Sequence, residues 1–342
     1  MMEGSVNLGI IYHFLGALAA ASFYIPIAKI KNWRWEISWF INGIASWIVM
    51  PTLVTFLIIP DTLSFLLDVK FNDMFKTYIF GALWGVGGLT FGMTLRYLGL
   101  SVGYGVAIGI TLVVGTLTPV LLNGTIMEII STTTGLFAIL GVIIAVMGIG
   151  VTSLAGYKKE QSTKKTNSEF NLKKGIIIAI VCGVMSSFMA FAIEAGAPIQ
   201  ELAIEYGIDP LYQVMPSYIF IMLGGFTTNT LYCLFQANKN NSVSEILNDK
   251  TDRNKNIVLA FTGGIIWYMQ FFFYGWGHVE LVNSELGFVS WTFHMSMLVL
   301  CGGIFGFVLK EWIEVPKKTK LTQVSGMMIL VLSTLIIGIG AS

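Results

Sequence analysis

The amino-acid sequence predicts an all-α integral membrane protein, and three observations carry that expectation. Of 342 residues, 55% are hydrophobic and only 11% are charged. An average soluble protein carries about 25% charged residues, so there are too few here to cover a water-facing surface. Mean hydropathy is +0.76. The apolar residues fall in ten continuous runs, at about 7–28, 37–59, 77–96, 101–121, 135–156, 175–197, 212–235, 257–278, 288–309 and 322–341. The runs do not alternate as the strands of a β-barrel do. Their length matches the roughly 20 residues that cross a bilayer as a helix, and in lipid only a helix satisfies its own backbone over such a stretch. Ten spans leave short loops and no room for a second soluble domain.

Orientation follows from the basic residues. The connections after runs 1, 3, 5, 7 and 9 hold every Lys and Arg except Lys70 and Lys76, which lie between runs 2 and 3. The positive-inside rule then puts the odd-numbered connections in the cytoplasm and both termini in the periplasm. The first residues, MMEGSVNLGI, carry no basic stretch before the apolar run, so a cleaved signal peptide is not expected. The longest connection, GYKKEQSTKKTNSEFNLKK, divides the chain into a first five-helix repeat (1–156), a cytoplasmic basic linker (157–174) and a second five-helix repeat (175–342). An odd number of spans per half inverts the second half relative to the first, an architecture that recurs in transporters. An internal echo supports this: Gly81, Trp84 and Gly92 share their spacing with Gly264, Trp267 and Gly275.

Taken in order, run 1 carries His13 about seven residues in, roughly 10 Å from its outer end at 1.5 Å per residue, and ends near Pro26. Trp33, Trp35 and Trp39 lie around the start of run 2 and read, with Trp312, as interfacial aromatic anchors. Run 2 holds Asn42, as run 7 holds Asn229, each a mid-span amide that serves either an inner gate or interhelical hydrogen bonding. Run 3, GALWGVGGLTFG, places Trp84 near the midplane and closes on Arg96, expected to snorkel to the cytoplasmic headgroups. Runs 4 and 5 are rich in glycine, which serves close helix packing or hinging. Glycine-rich run 5 and terminal run 10 are candidates for pairing between subunits of a homodimer. Pro119 and Pro198 sit near the ends of runs 4 and 6, where they terminate or kink helices. Glu194 lies near the outer end of run 6, His278 ends run 8 on the outer side, and His294 lies at a depth in run 9 similar to that of His13.

Ionisable groups inside a bilayer are costly and therefore functional candidates. His13, His294, Glu194 and His278 all fall in the outer half of the membrane. His13 and His294 are either interhelical hydrogen-bonding residues or proton carriers, since an unperturbed pKa near 6.5 suits imidazole to proton relay. His278 and Glu194 are either solvated interfacial groups or parts of a proton-accepting vestibule. Run 8 has the densest aromatic cluster, WYMQFFFYGWGH. Trp267, Gln270 and Tyr274 share one helix face by their i, i+3, i+7 spacing, with Phe271, Phe272 and Phe273 read as packing or lipid-facing. A sugar needs an aromatic platform for its C–H faces and amide or hydroxyl partners for its hydroxyls. Trp267 and Gln270 offer that combination, with Trp84 as an opposing wall. Cys182, Cys233 and Cys301 lie in apolar runs with neither disulfide nor metal spacing. Net charge is +1, which gives no footprint for a nucleic-acid partner. With no P-loop, H-E-x-x-H or nucleophile-elbow motif, the chain carries no ATP-driven module, so uphill transport must use an ion gradient.

The stretches HFLGALAAASFYIPIAKIKNWRWE (13–36), RYLGLSVGYGVAIGITLVVGTLTP (96–119), DPLYQVMPSY (209–218), GGIIWYMQFFFYGWGH (263–278) and SWTFHMSMLVLCGGIFGFVLKEW (290–312) resemble the bacterial L-rhamnose–proton symporter family, within the drug/metabolite transporter superfamily. The resemblance runs from the first span to the last. It implies ten helices in two inverted repeats, residence in the bacterial inner membrane, and uptake of a 6-deoxyhexose with a proton as coupling ion and no other cofactor. His13, Trp267, Gln270, His278 and His294 sit within these stretches; together with the residues singled out above, the candidates are Trp84, Trp267, Gln270, Tyr274 and His278 for the sugar and His13, His294 and Glu194 for proton coupling. The segment IEAGAPIQ departs from the family pattern, where an uncharged amide is usual. Glu194 is therefore expected to tune pH response or substrate preference rather than carry the family's proton, which leaves open a related sugar. An exporter on the same fold is the rival transporter, though run 1 has no deep carboxylate. A membrane-embedded enzyme or sensor would need paired catalytic groups or an output domain, and neither is visible.

Overall fold

The computed structural model describes residues 5–98, 100–162, 171–249, 251–284 and 286–340, apart from a few side chains between 95 and 104 that include Arg96. Among the described residues the chain is helical with no strands. Counted over the described residues alone, nine helical stretches are long and apolar enough to cross a membrane.

Each apolar run corresponds to one long helix. We label these α1 (Val6–Ser22, prolonged by the short Tyr24–Ile27), α2 (Trp35–Ile58), α3 (Phe71–Leu98), α4 (Leu100–Leu122) and α5 (Thr133–Ser162). They continue with α6 (Leu172–Ala195, followed by Ala197–Glu205), α7 (Ser217–Asn240), α8 (Arg253–Val282), α9 (Ser290–Val308) and α10 (Lys317–Gly340). α3 has ample length for a span at 28 residues. Residues 157–162 of the expected linker are helical. Lys, Glu and Gln propagate a helix well, so α5 continues to Ser162, and 163–170 lie outside the described residues. Lys159 Nζ meets Glu311 Oε2 at 2.8 Å and lies 4.8 Å from the centroid of Trp312.

The chain divides into two compact units. The described residues of unit one fall in Met1–Ala17, Gly87–Ala190 and Gly277–Ser342, and unit two comprises Leu18–Val86 and Phe191–Trp276. Every division point lies inside a long helix (α1, α3, α6 or α8), so each unit draws on both sequence halves.

In unit one, α5 and α10 lie backbone to backbone. A Cβ on Gly141 would sit 2.2 Å from Ile337 Cγ1, and one on Gly326 would sit 2.7 Å from the Thr152 nitrogen. Ser333 Oγ donates to the Gly141 carbonyl at 2.7 Å. The small-residue faces of these two helices, candidates for pairing between subunits, thus meet each other within one chain. Their other faces expose Leu136, Leu140, Ile143 and Met147 on α5, and Leu321, Met328, Leu332 and Leu335 on α10. Unbroken apolar stripes of this kind suit lipid, not water.

In unit two, α3 and α7 approach as closely, a Cβ on Gly81 falling 2.0 Å from the Ile221 carbonyl oxygen. A satellite core of Ile59, Phe65, Val69, Ile199, Ala203 and Phe220 joins the short helices Thr62–Asp68 and Ala197–Glu205 to α7. At its rim Tyr206 donates to Asp68 Oδ2 at 2.6 Å, and that carboxylate pushes the phenol pKa up to about 12.

Candidate functional site

Two groups of side chains stand out, one in each unit. In unit two, α8 sets Trp267 and Phe271 one turn apart, where i, i+4 neighbours touch; their ring centroids are 5.0 Å apart. α3 contributes Trp84, 5.7 Å from Trp267 and 5.7 Å from Phe271. Gly225 on α7 makes this possible, because a Cβ there would lie 2.7 Å from the Trp84 ring. α7 adds Tyr218, whose hydroxyl donates to the Phe271 carbonyl at 2.9 Å. Gln270, one residue before Phe271, is 5% exposed, and Tyr274 is also buried. The expected juxtaposition of Trp84 with Trp267 is therefore present. One of the three echoed pairs also shares its surroundings: Gly81 abuts the Ile221 carbonyl and Gly264 the Asn42 carbonyl, each just ahead of its Trp.

α2 supplies a ring that sequence reasoning missed. Trp47 lies 5.4 Å from Trp267 and 6.2 Å from Trp84, in near-perpendicular edge contacts. It stands on a π-helical segment, Ile44–Val49, and nothing in IASWIV signals that irregularity. Trp39, expected as a membrane-interface anchor, instead packs 6.0 Å from Trp47 and donates from Nε1 to Asn229 Oδ1 at 3.1 Å. Asn229 in turn donates to the Gly225 carbonyl at 2.9 Å. Asn42 donates to the Ala260 carbonyl at 3.4 Å. Both buried amides are thus engaged in packing bonds. Trp312, another expected anchor, is buried beside Ala155 and Val315. A tryptophan near a helix end faces inward or outward according to its helix face, which position along the run does not disclose.

In unit one, α1 and α9 bring His13 and His294 together, both fully buried, with ring centroids 6.1 Å apart. Phe293 stacks on His13 at 6.1 Å, and Trp291 lies 5.9 Å from His294. Ser290 Oγ shares a 3.1 Å hydrogen bond with His13 Nε2, its direction set by the imidazole tautomer. Gly277 on α8 leaves the space the imidazole fills, since a Cβ there would stand 3.0 Å from His13 Nε2. His278, the next residue, is half-buried and within electrostatic reach of His13. Nearby, Thr116 and Thr292 share a 2.8 Å hydroxyl bond, and Trp291 Nε1 donates to the Thr111 carbonyl at 3.1 Å. Three imidazoles therefore gather in unit one. Glu194 is exposed on α6 and belongs to unit two. Among the described residues no cluster of His, Cys, Asp or Glu could hold a metal ion.

The arrangement offers an aromatic wall with a buried amide in one unit and a titratable pair in the other. Comparison with known proteins identifies what uses such parts. Residues 2–342 match the family L-rhamnose-proton symport protein (RhaT). The chain belongs to this family. It is 43% identical over 346 residues to the L-rhamnose-proton symporter of Mannheimia succiniciproducens, covering 99% of each chain. It is 40% identical over 342 residues to the proteins of that name from Shigella dysenteriae and Escherichia coli, again over 99% of each chain. The family is one of symporters, not enzymes, and its match takes in all five stretches on which the sequence resemblance rested.

Proposed function

We propose that this protein carries L-rhamnose into a bacterial cell together with a proton, by alternating access across the inner membrane. The observation that carries this reading is the end-to-end match to symporters of that name. The composition of the two side-chain groups supports it. The ten long helices are read as ten spans in two inverted five-helix repeats, with both termini in the periplasm and the basic connections in the cytoplasm.

Trp84 and Trp267 offer flat apolar faces to the C–H groups and 6-methyl of the sugar. Gln270 and Tyr274 take its hydroxyls, and His278 on α8 is a further hydroxyl partner. His13 and His294 form the proton site. Two charged rings about 6 Å apart in a low-dielectric interior repel strongly, so the pair holds one proton at a time. Coupling requires that proton and sugar each favour one conformation over the other. Glu194 tunes the response to external pH, while Asn42 and Asn229 hold α2, α3, α7 and α8 in register.

The test is extracellular pH, recorded while a panel of deoxyhexoses is added to de-energised cells expressing the protein. L-rhamnose is expected to alkalinise the medium. No response to L-rhamnose alongside a response to another deoxyhexose reassigns the substrate. Acidification indicates export in exchange for protons.

A further inference from the structure

The Trp47 side chain is 4% exposed, and its indole Nε1–H has no hydrogen-bond partner among the described residues. Buried polar atoms are nearly always satisfied, and exceptions call for an explanation. Indole nitrogen can only donate, so an acceptor is missing. The rings packed against it supply none: Trp39, Trp84, Trp267 and Phe226 lie at 5.4–6.5 Å between centroids, and neither indole nor phenyl offers a lone-pair acceptor.

The backbone beneath Trp47 is also irregular. Ile44–Val49 is π-helical, and the Met50 N–H closes onto the Ala45 carbonyl where an α-helix would use Ser46. Such insertions are uncommon and occur often at functional sites. One extra residue in a turn rotates the remainder of the helix by about 100° relative to an α-helical register. Gly43 leaves room for the result, since a Cβ there would be 3.1 Å from Trp47 Cε3. The segment thus sets a donor-only side chain against the ring of Trp267.

From these observations we infer that Trp47 is a substrate-contacting residue whose indole N–H donates to a hydroxyl oxygen of the bound sugar while Trp267 and Trp84 contact its carbon face. The assignment rests on the sugar-transport reading and names a residue that run 2, read from sequence, did not single out. It assigns a division of labour: the α8 and α3 rings recognise the apolar surface common to deoxyhexoses, and Trp47 recognises one hydroxyl.

The test compares Trp47→Phe, which keeps an aromatic ring but removes the N–H, with the unsubstituted chain, at matched membrane levels. For L-rhamnose the KM is expected to rise roughly three- to tenfold, the worth of one hydrogen bond, with kcat little changed. A series of analogues, each lacking one hydroxyl, is expected to include one for which the two chains have equal KM. Equal KM for L-rhamnose itself assigns the N–H to ring packing and overturns the proposal. Should Trp47→Phe fail to insert, indole-15N-labelled wild-type protein in detergent gives the answer. Movement of an indole N–H resonance on saturation with L-rhamnose supports the contact, and a set of resonances that stays still overturns it. Absence of L-rhamnose uptake by the unsubstituted chain counts against the transport reading, whereas uptake unaffected by Trp47→Phe counts against Trp47 alone.

Discussion

The two imidazoles proposed to handle the coupled proton lie 6.1 Å apart in a fully buried setting. His13→Ala and His294→Ala are each expected to abolish L-rhamnose-dependent alkalinisation while exchange of labelled sugar in proteoliposomes continues. Alkalinisation retained by both variants removes the proton role. Gln270→Leu keeps the volume and loses the amide, and kcat/KM for L-rhamnose should fall about tenfold or more. Unchanged uptake by that variant places Gln270 in packing. Glu194→Gln should shift the pH dependence of uptake without stopping it, because the side chain is exposed. A pH profile identical to wild type ends that role. His13, His294, Trp267 and Gln270 could be singled out in the sequence because an imidazole or amide in mid-span has no cheap resting place. Trp47 could not, being one more aromatic in an apolar run, with its unpartnered indole N–H visible only in three dimensions.

At the level of helices, the glycines divide into those that hold two backbones together and those that do not. Gly326 lies against the Thr152 backbone, whereas a Cβ on Gly150 meets nothing within 4 Å. Gly326→Ala should therefore force α5 and α10 apart and lower stability by about 1–3 kcal/mol. Gly150→Ala should be neutral or slightly stabilising, since Ala favours a helix over Gly. Thermal unfolding in detergent separates the two, and equal midpoints would contradict the packing described. The helices themselves were legible because lipid imposes a length and a composition on every span. Their ends were less so: α5 overruns its apolar run because the polar residues beyond it, Tyr157–Ser162, are themselves compatible with a helix. The π-helical segment of α2 left no trace, since IASWIV reads as an ordinary apolar turn.

For the molecule as a whole, the apolar pattern shows how many helices there are but not which ones assemble. Each compact unit combines segments from both sequence halves, and such long-range pairing has no local signature. One consequence can be measured. Split between residues 162 and 171, either half alone should be degraded, because it lacks segments of both units, while co-expression of the halves should restore L-rhamnose uptake. A stable half that folds by itself would contradict this division.

The 30 residues of α5 make a rod about 45 Å long, against a hydrocarbon thickness of about 30 Å. It cannot lie wholly in oil, and its far end carries the ion pair of Lys159 with Glu311. Its apolar part, 135–156, is about 33 Å long, so the fit to the bilayer rests on that part while the polar end reaches into water. Uptake measured in vesicles of graded acyl-chain length should pass through an optimum, which would make membrane thickness a regulator of sugar entry.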